Sequence, residues 1–77
     1  MNVLTMKYTV ILERDEDNYL VASVPALSGC FTQGKTLEEV MANIKEAIEL
    51  YIEDLKEHGE KIPNDTTQGI MDVEVNA

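Results

Sequence analysis

Several residue types are scarce in this chain, and each scarcity excludes a class of protein. There is one cysteine, Cys30, so no internal disulfide can form. With His58 as the only histidine, the chain also falls short of the ligands of a tetrahedral zinc site. No apolar run approaches the ~20 residues that cross a bilayer, and residues 1–6 lack the pattern of a secretory signal. We therefore expect a cytoplasmic protein, not a membrane protein, without a disulfide, metal or other cofactor.

Basic residues are also scarce. Fifteen acidic residues outnumber six basic ones, which gives a formal net charge of -9. Such a charge repels the phosphates of nucleic acid and attracts basic surfaces, so we expect no direct binding of DNA or RNA. Two interpretations stay open at this point: the acidic residues serve a basic partner, or they only keep a small protein soluble.

The length of 77 residues indicates a single domain that spans residues 1–77. A domain of this size buries only about 60% of the surface that its unfolded chain exposes, so its stability is expected to be marginal. A partner subunit could therefore complete its hydrophobic core.

One long segment, Thr36 to His58, carries the strongest helix signal. Its start is marked by Thr36 with Glu39 three residues later, a capping box in which the hydroxyl and the carboxylate satisfy each other's backbone donors. Gly59 can close the helix in the left-handed conformation, and Pro63 follows where no helix continues. Apolar residues recur at spacings of three and four along one face, at Leu37, Val40, Met41, Ile44, Ala47, Ile48, Tyr51, Ile52 and Leu55.

Three strands are predicted before the helix, and a polar hairpin turn joins the first two. The strands span Lys7–Glu13, Tyr19–Val24 and Cys30–Gly34, and the turn spans Arg14–Asn18. The first strand alternates, with a predicted buried face of Tyr8, Val10 and Leu12. The second strand is apolar on both faces, and one helix can cover only one of them. We expect another subunit to cover the other face, with Tyr19 and Val21 at the interface of a homodimer or a higher homo-oligomer.

A fourth strand is predicted after the helix, at Ile70–Val75, where apolar and polar residues alternate again. A helix that joins two strands of one sheet is normally a right-handed crossover, which makes the fourth strand parallel to a strand already present. The predicted fold class is α+β with the order β-β-β-α-β. Three strands form an antiparallel meander, the fourth lies parallel beside the first, and the long helix covers one face.

Acidic side chains cluster in two places that could bind a basic partner. The hairpin acids are Glu13, Asp15, Glu16 and Asp17, and the acidic stripe on the helix comprises Glu46, Glu49, Glu53 and Glu57. Like charges at steps of three and four residues each cost a few tenths of a kcal/mol in an isolated helix. A partner-binding role would explain the stripe, although a solvated acidic face is an equally simple interpretation.

No catalytic constellation stands out. A magnesium-dependent nuclease needs two or three converging carboxylates, and the first strand offers only Glu13, at its end. Cys30 could be a nucleophile with His58 as its base. However, free cysteines are usually small buried hydrophobes, and a histidine near a helix C-terminus usually interacts with the helix dipole. We therefore expect no enzymatic activity and assign no catalytic, cofactor-binding or metal-binding residue.

Three segments of the chain carry the pattern of a known family. They are Glu16–Tyr19, Val24–Val40 and Asn43–Leu55, and the most specific part has Pro25, Leu27, Gly29, Cys30, Thr32, Gly34, Thr36, Glu38 and Glu39 in fixed order. In these residues the chain resembles the HicB family of antitoxins, from Met6 to about Pro63. The resemblance implies a partial ribonuclease H-like fold. It also implies an inhibitor that binds a small basic HicA-like toxin, which cleaves mRNA, and covers its active site.

The chain departs from the family pattern at its C-terminus. Many members carry a helix-turn-helix or ribbon-helix-helix DNA-binding domain after this region, whereas this chain stops at Ala77. We therefore expect a short form that does not repress its own operon directly. The leading hypothesis is an antitoxin whose acidic surface binds a basic RNA-cleaving toxin. The alternatives are a solitary homo-oligomeric domain of unknown role and, by fold analogy alone, a nuclease.

Overall fold

The computed structural model describes residues 5–77 as a three-stranded sheet with one long helix packed on it. The elements are β1 (Ile11–Arg14), β2 (Leu20–Ser23), β3 (Phe31–Gly34) and α1 (Leu37–Glu57). The sheet order is β1-β2-β3, and both pairs are antiparallel. The predicted α+β class, the antiparallel meander and the single long helix are therefore confirmed.

Strand β1 begins later than predicted, at Ile11, which pairs with Ser23 at the end of β2. Continuing this register would place Thr9 opposite Pro25, and proline has no N–H to donate to a ladder. The N–H of Thr9 donates instead to the carboxylate of Asp65. The sheet is thus shortened at this end because its neighbouring strand cannot continue the pairing.

The turn between β1 and β2 is held by a side chain. Oδ1 of Asp15 accepts hydrogen bonds from the N–H groups of Asp17 and Tyr19, each at 2.9 Å. Asn18 adopts the left-handed conformation, with φ of 69°, which asparagine tolerates better than most residues. The predicted hairpin turn is therefore confirmed, and Asp15 is one of its structural elements.

Both ends of α1 are fixed by local interactions. The hydroxyl of Thr36 accepts from the N–H of Glu39 at 3.1 Å, so one half of the predicted capping box is present. At the other end Gly59 has a φ of 65°, and Glu60 donates its N–H to the carbonyl of Leu55 at 2.9 Å, as in a Schellman motif. Within residues 5–77 no helix is both long and apolar enough to cross a membrane.

The hydrophobic core lies between α1 and the inner face of β2 and β3. Its buried members are Ala22, Val24, Leu27, Cys30, Val40 and Ile44, and the half-buried Tyr8, Val10, Leu20, Ala47, Ile48 and Tyr51 pack around them. No Cα atom of α1 comes within 8 Å of one in β1. Leu12, in the middle of β1, is therefore 42% exposed, although it lies on the helix side and was predicted to be buried.

The predicted fourth strand, Ile70–Val75, is not formed, so the element order in the structure is β-β-β-α. Residues 58–77 contain no strand, and Ile70, Val73 and Val75 are 65–76% exposed. The physical reason lies in where the segment starts. Because Asp65 is held beside Thr9, an extended chain that ran along β1 would reach Arg14, the last residue of β1, at Ile70, and residues 71–75 would have no strand beside them.

Candidate partner-binding surfaces

The hairpin acids occupy the turn between β1 and β2 and the strand end that leads into it. Glu13, Glu16 and Asp17 are exposed, whereas Asp15 is half-buried. Glu13 pairs with Val21 and lies on the sheet face opposite to α1. Since Asp15 uses its carboxylate to hold the turn, Glu16 and Asp17 are the members whose carboxylates are free at the tip of the hairpin.

The acidic stripe lies on the side of α1 that faces away from the core. Its four members, Glu46, Glu49, Glu53 and Glu57, are all exposed, whereas Val40 and Ile44 on the other side are buried. Within residues 5–77 none of the four carboxylates forms an ion pair. The stripe is thus a continuous negative surface along the second half of the helix.

The hairpin acids and the acidic stripe lie at different ends of the fold. Leu20 follows the hairpin and pairs with Gly34, which leads directly into the start of α1. The hairpin therefore lies near the N-terminus of α1, whereas the stripe begins at Glu46 and continues to the last helical residue, Glu57. The structure brings together the members of each group but does not join the two groups into one patch.

The sheet face opposite to α1 has no cover within the described residues. This open sheet face carries Ile11, Tyr19, Val21 and Phe31, of which Phe31 is 68% exposed. The two predicted interface residues, Tyr19 and Val21, are half-buried by their neighbours on this face. Sequence analysis missed Ile11 and Phe31, although the register of an antiparallel meander would have placed both beside Val21 and its neighbours.

A second apolar surface is a groove between α1 and the N-terminal side of the sheet. It has a volume of about 1000 Å³. Its walls are formed by Met6, Tyr8, Val10, Met41, Ala42, Ile44, Lys45, Ile48, Glu49, Ile52, Glu53, Lys56 and Ile62. The groove exists because α1 packs on β2 and β3 and leaves the side of β1 open. Nothing in the sequence pattern alone indicated it.

The residues considered for catalysis are placed in unsuitable surroundings. Cys30 is a free cysteine in the core, and burial raises the pKa of its thiol, which disfavours the nucleophilic thiolate. His58 is exposed at the end of α1, where Nδ1 lies 2.8 Å from the carbonyl of Asp54. That backbone hydrogen bond, and then the charge of Asp54, raise the pKa of His58. Within residues 5–77 no three potential metal ligands cluster.

Asp65 ties the segment after α1 to the start of the fold, a role that sequence analysis missed. Its Oδ2 accepts the N–H of Thr9, and its Oδ1 accepts the N–H of Thr67 at 2.9 Å. Beside it, the hydroxyl of Tyr8 donates to the carbonyl of Pro63 at 2.7 Å. Hydrogen bonds from the side chain and backbone of Thr67, and then from Thr9, hold the pKa of Asp65 well below its usual range.

This tether makes stability depend on pH in a defined direction. Because the folded-state pKa of Asp65 is lowered, its contribution is fully present above the unfolded pKa of about 3.9 and is lost progressively as the pH falls from that value through the lower folded-state pKa. We expect Asp65→Asn to unfold more easily than the unmodified chain at neutral pH, and the difference to shrink in acid. Urea titrations at about pH 7 and about pH 3 measure both effects.

The matched control for this prediction is Glu16→Gln, which removes one carboxylate from an exposed position of the hairpin. Its free energy of unfolding should follow that of the unmodified chain at both pH values. If Asp65→Asn differed from the unmodified chain by the same amount at neutral and acid pH, the effect would come from packing and not from the ionised carboxylate.

The sequence matches known proteins over most of its length. A UPF0150 protein of Thermoplasma acidophilum is 65% identical over 65 residues, which are 84% of this chain and 94% of that protein. A UPF0150 protein of Archaeoglobus fulgidus is 50% identical over 72 residues, or 91% and 96% of the two chains. The sequence model of a family described as "HicB_like antitoxin of bacterial toxin-antitoxin system" matches residues 8–75. The chain therefore belongs to the HicB-like antitoxins, as its sequence motifs indicated.

Proposed function

We propose that this antitoxin neutralises a small, basic, RNA-cleaving toxin of the HicA-like kind by covering its active site with an acidic surface. Membership of the family implies an inhibitory role and a toxin partner in general. Two observations support the finer proposal: the net charge of -9, and the exposure of all members of the two acidic groups except Asp15. A surface that binds RNA is basic, so it attracts such groups. Since mRNA is the toxin's target, the proposed site of action is the cytoplasm.

The proposed mechanism combines electrostatic and steric effects. Carboxylates of the hairpin acids would replace RNA phosphates on the toxin, while the bulk of the sheet and helix blocks access to its catalytic groups. The hairpin is suited to this contact because Asp15 already holds the turn, so Glu16 and Asp17 lose little conformational entropy on binding. The acidic stripe offers a second contact along α1.

The first test is co-purification of the untagged protein with the product of the neighbouring gene. Light scattering at low and moderate salt then gives the mass of whatever is formed. A stoichiometric complex with a small basic protein, weakened by salt, is the expected result. A clean homo-oligomer without a bound partner would contradict the antitoxin mechanism proposed here.

The second test separates the hairpin from the general charge of the protein. We expect Glu16→Lys combined with Asp17→Lys to weaken toxin binding by about tenfold or more, since both side chains would then face a basic surface. Glu60→Lys combined with Glu74→Lys is the matched control, because it makes the same change of net charge at exposed positions outside both acidic groups. Equal losses of affinity in the two variants would remove the hairpin from the proposed interface.

A second candidate function is a homo-oligomeric domain, and the open sheet face favours it. This face exposes Phe31 beside Val21 and carries a single carboxylate, that of Glu13. Two strongly acidic chains would repel each other least where they meet through such a face. We propose it, with Tyr19 and Val21, as a homodimer contact. Phe31→Lys should then lower the mass measured for the protein alone, and an unchanged mass would exclude this contact.

The partial ribonuclease H-like fold stays a prediction, although residues 70–75 do not form its expected fourth strand in the structure. Strand β1 has β2 on one side and no neighbouring strand on the other within residues 5–77, so the position of a fourth strand is open.

A further inference from the structure

We propose that the tail, residues 70–75, docks in the groove of a second copy of this chain, so that two copies exchange tails. The groove is the surface between α1 and the N-terminal side of the sheet described above. This inference does not depend on the toxin, and it concerns a surface other than the open sheet face.

The tail has the alternating pattern of a segment that packs one side against an apolar surface. Met71, Val73 and Val75 alternate with Asp72 and Glu74, so an extended tail has one apolar side and one acidic side. The three apolar residues are 75–81% exposed, which makes them among the most exposed large hydrophobic side chains of the described residues. An alternating segment with one exposed apolar side gains free energy by docking on another apolar surface.

The groove has the complementary features. Its apolar wall includes Val10, Met41 and Ile52, of which Met41 is 44% exposed. Beside it runs β1, whose outer edge has free backbone donors and acceptors because β2 occupies only the other side. An added extended segment can therefore bury its apolar side chains in the groove and use the backbone groups of β1.

The chain's own tail is poorly placed to fill this groove. Asp65 is held beside Thr9. If the tail continued parallel to β1 and advanced by one residue for each residue of the strand, Ile70 would lie beside Arg14, the last residue of β1. The structure shows no strand pairing between residues 66–69 and β1, so the outer edge of β1 stays free, and on this path residues 71–75 would lie beyond the end of β1. The apolar side of the tail is thus directed away from its own groove and is available to another copy.

The charges of the two surfaces agree with this occupant. The groove is lined by Lys45 and Lys56 as well as Glu49 and Glu53, so the formal charges of these four side chains sum to zero, whereas the whole chain has a net charge of -9. The tail adds only Asp72 and Glu74, which lie on the side opposite to its apolar residues and therefore face solvent when the apolar side is docked. A second acidic copy therefore meets less repulsion in the groove than at the hairpin, because Lys45 and Lys56 balance Glu49 and Glu53, the two members of the acidic stripe that line the groove.

Disulfide capture tests the exchange on the full chain. The variant Val73→Cys introduces a thiol in the tail, and the variant Ile52→Cys introduces one in the groove. The two purified chains are mixed, oxidised and analysed by non-reducing electrophoresis and intact mass. We expect a mixed dimer joined by one disulfide, formed at least about tenfold more efficiently than with the control pair Val73→Cys and Glu46→Cys, because docking raises the local concentration of the thiols.

The double variant Ile52→Cys/Val73→Cys decides which chain supplies the tail. A dimer closed by two disulfides supports the exchange. An internally cross-linked single chain, with no mixed dimer from the separate variants, would show that each tail fills its own groove and would overturn the proposal. No cross-link in either experiment would also overturn it and leave the groove to a different partner. The unmodified chain controls for the buried Cys30, and circular dichroism confirms that each variant is folded.

Discussion

Replacing Ile44 by alanine should cost about 2–5 kcal/mol of unfolding free energy, the largest loss that we expect from a single substitution. Ile44 is 1% exposed and packs from α1 into the core between helix and sheet. Removing its side-chain atoms loses their transfer free energy and leaves a cavity that the short sheet cannot close. A domain of this size has only a few kcal/mol of stability, so the variant should be largely unfolded even without denaturant.

Two related substitutions show whether this loss comes from the core. Ile44→Val removes a single methylene group and should cost only about 0.5–1.5 kcal/mol. Leu50→Ala removes more side-chain atoms than Ile44→Val does, but from an exposed position of the same helix. Its free energy of unfolding should stay within about 0.5 kcal/mol of that of the unmodified chain. Urea unfolding followed by circular dichroism gives all three values. A loss for Ile44→Ala no larger than that for Leu50→Ala would mean that α1 does not pack as described.

Replacing Gly34 by alanine should destabilise the protein by about 1–3 kcal/mol through crowding. A Cβ atom at this position would lie 2.8 Å from the backbone nitrogen of Val40, 3.0 Å from its Cα and 3.1 Å from its Cβ. The nitrogen and Cα cannot move without moving the first turn of α1, where the Val40 N–H donates to the Thr36 carbonyl at 3.0 Å. The helix must therefore shift away from β3.

The predicted clash is mainly with backbone atoms of Val40, and this distinguishes it from a clash with the Val40 side chain. Adding Val40→Ala to Gly34→Ala should not restore stability, because it leaves the backbone atoms of residue 40 in place and removes buried side-chain atoms. Gly69→Ala is the matched control, since a Cβ there would meet nothing within 4 Å, and its effect should be within about 0.5 kcal/mol. Rescue by Val40→Ala would indicate that only the side chain of Val40 limits the approach of helix and strand.

Family membership and helix bounds could be predicted from sequence because their signals are local. Thr36 and Gly59 each act through hydrogen bonds within a few residues, so the predicted start and end of α1 agree with the structure. The same holds for the turn that Asp15 stabilises. The motif around Pro25 and Gly34 was likewise sufficient to identify the family, which the comparisons then showed.

The length of β1 could not be predicted from its own residues. Its alternating pattern extends back to Lys7, but the available pairing ends where Pro25 would have to face Thr9. The isolated pattern also predicted that Leu12 is buried, whereas α1 lies over the other two strands and leaves it 42% exposed. A strand pattern indicates which side chains share a face, and the neighbouring elements decide whether that face is covered.

The sequence by itself determined the order of the first three strands and the helix, the bounds of that helix, the strong negative charge and the family. Each of these depends on composition or on interactions between residues close in the chain. Only the tertiary structure decided that the acidic groups lie apart, that Asp65 binds the backbone N–H of Thr9, and that a groove remains beside β1. These features depend on how α1 is positioned across the sheet, and that position results from packing between residues far apart in the chain, which no local pattern encodes.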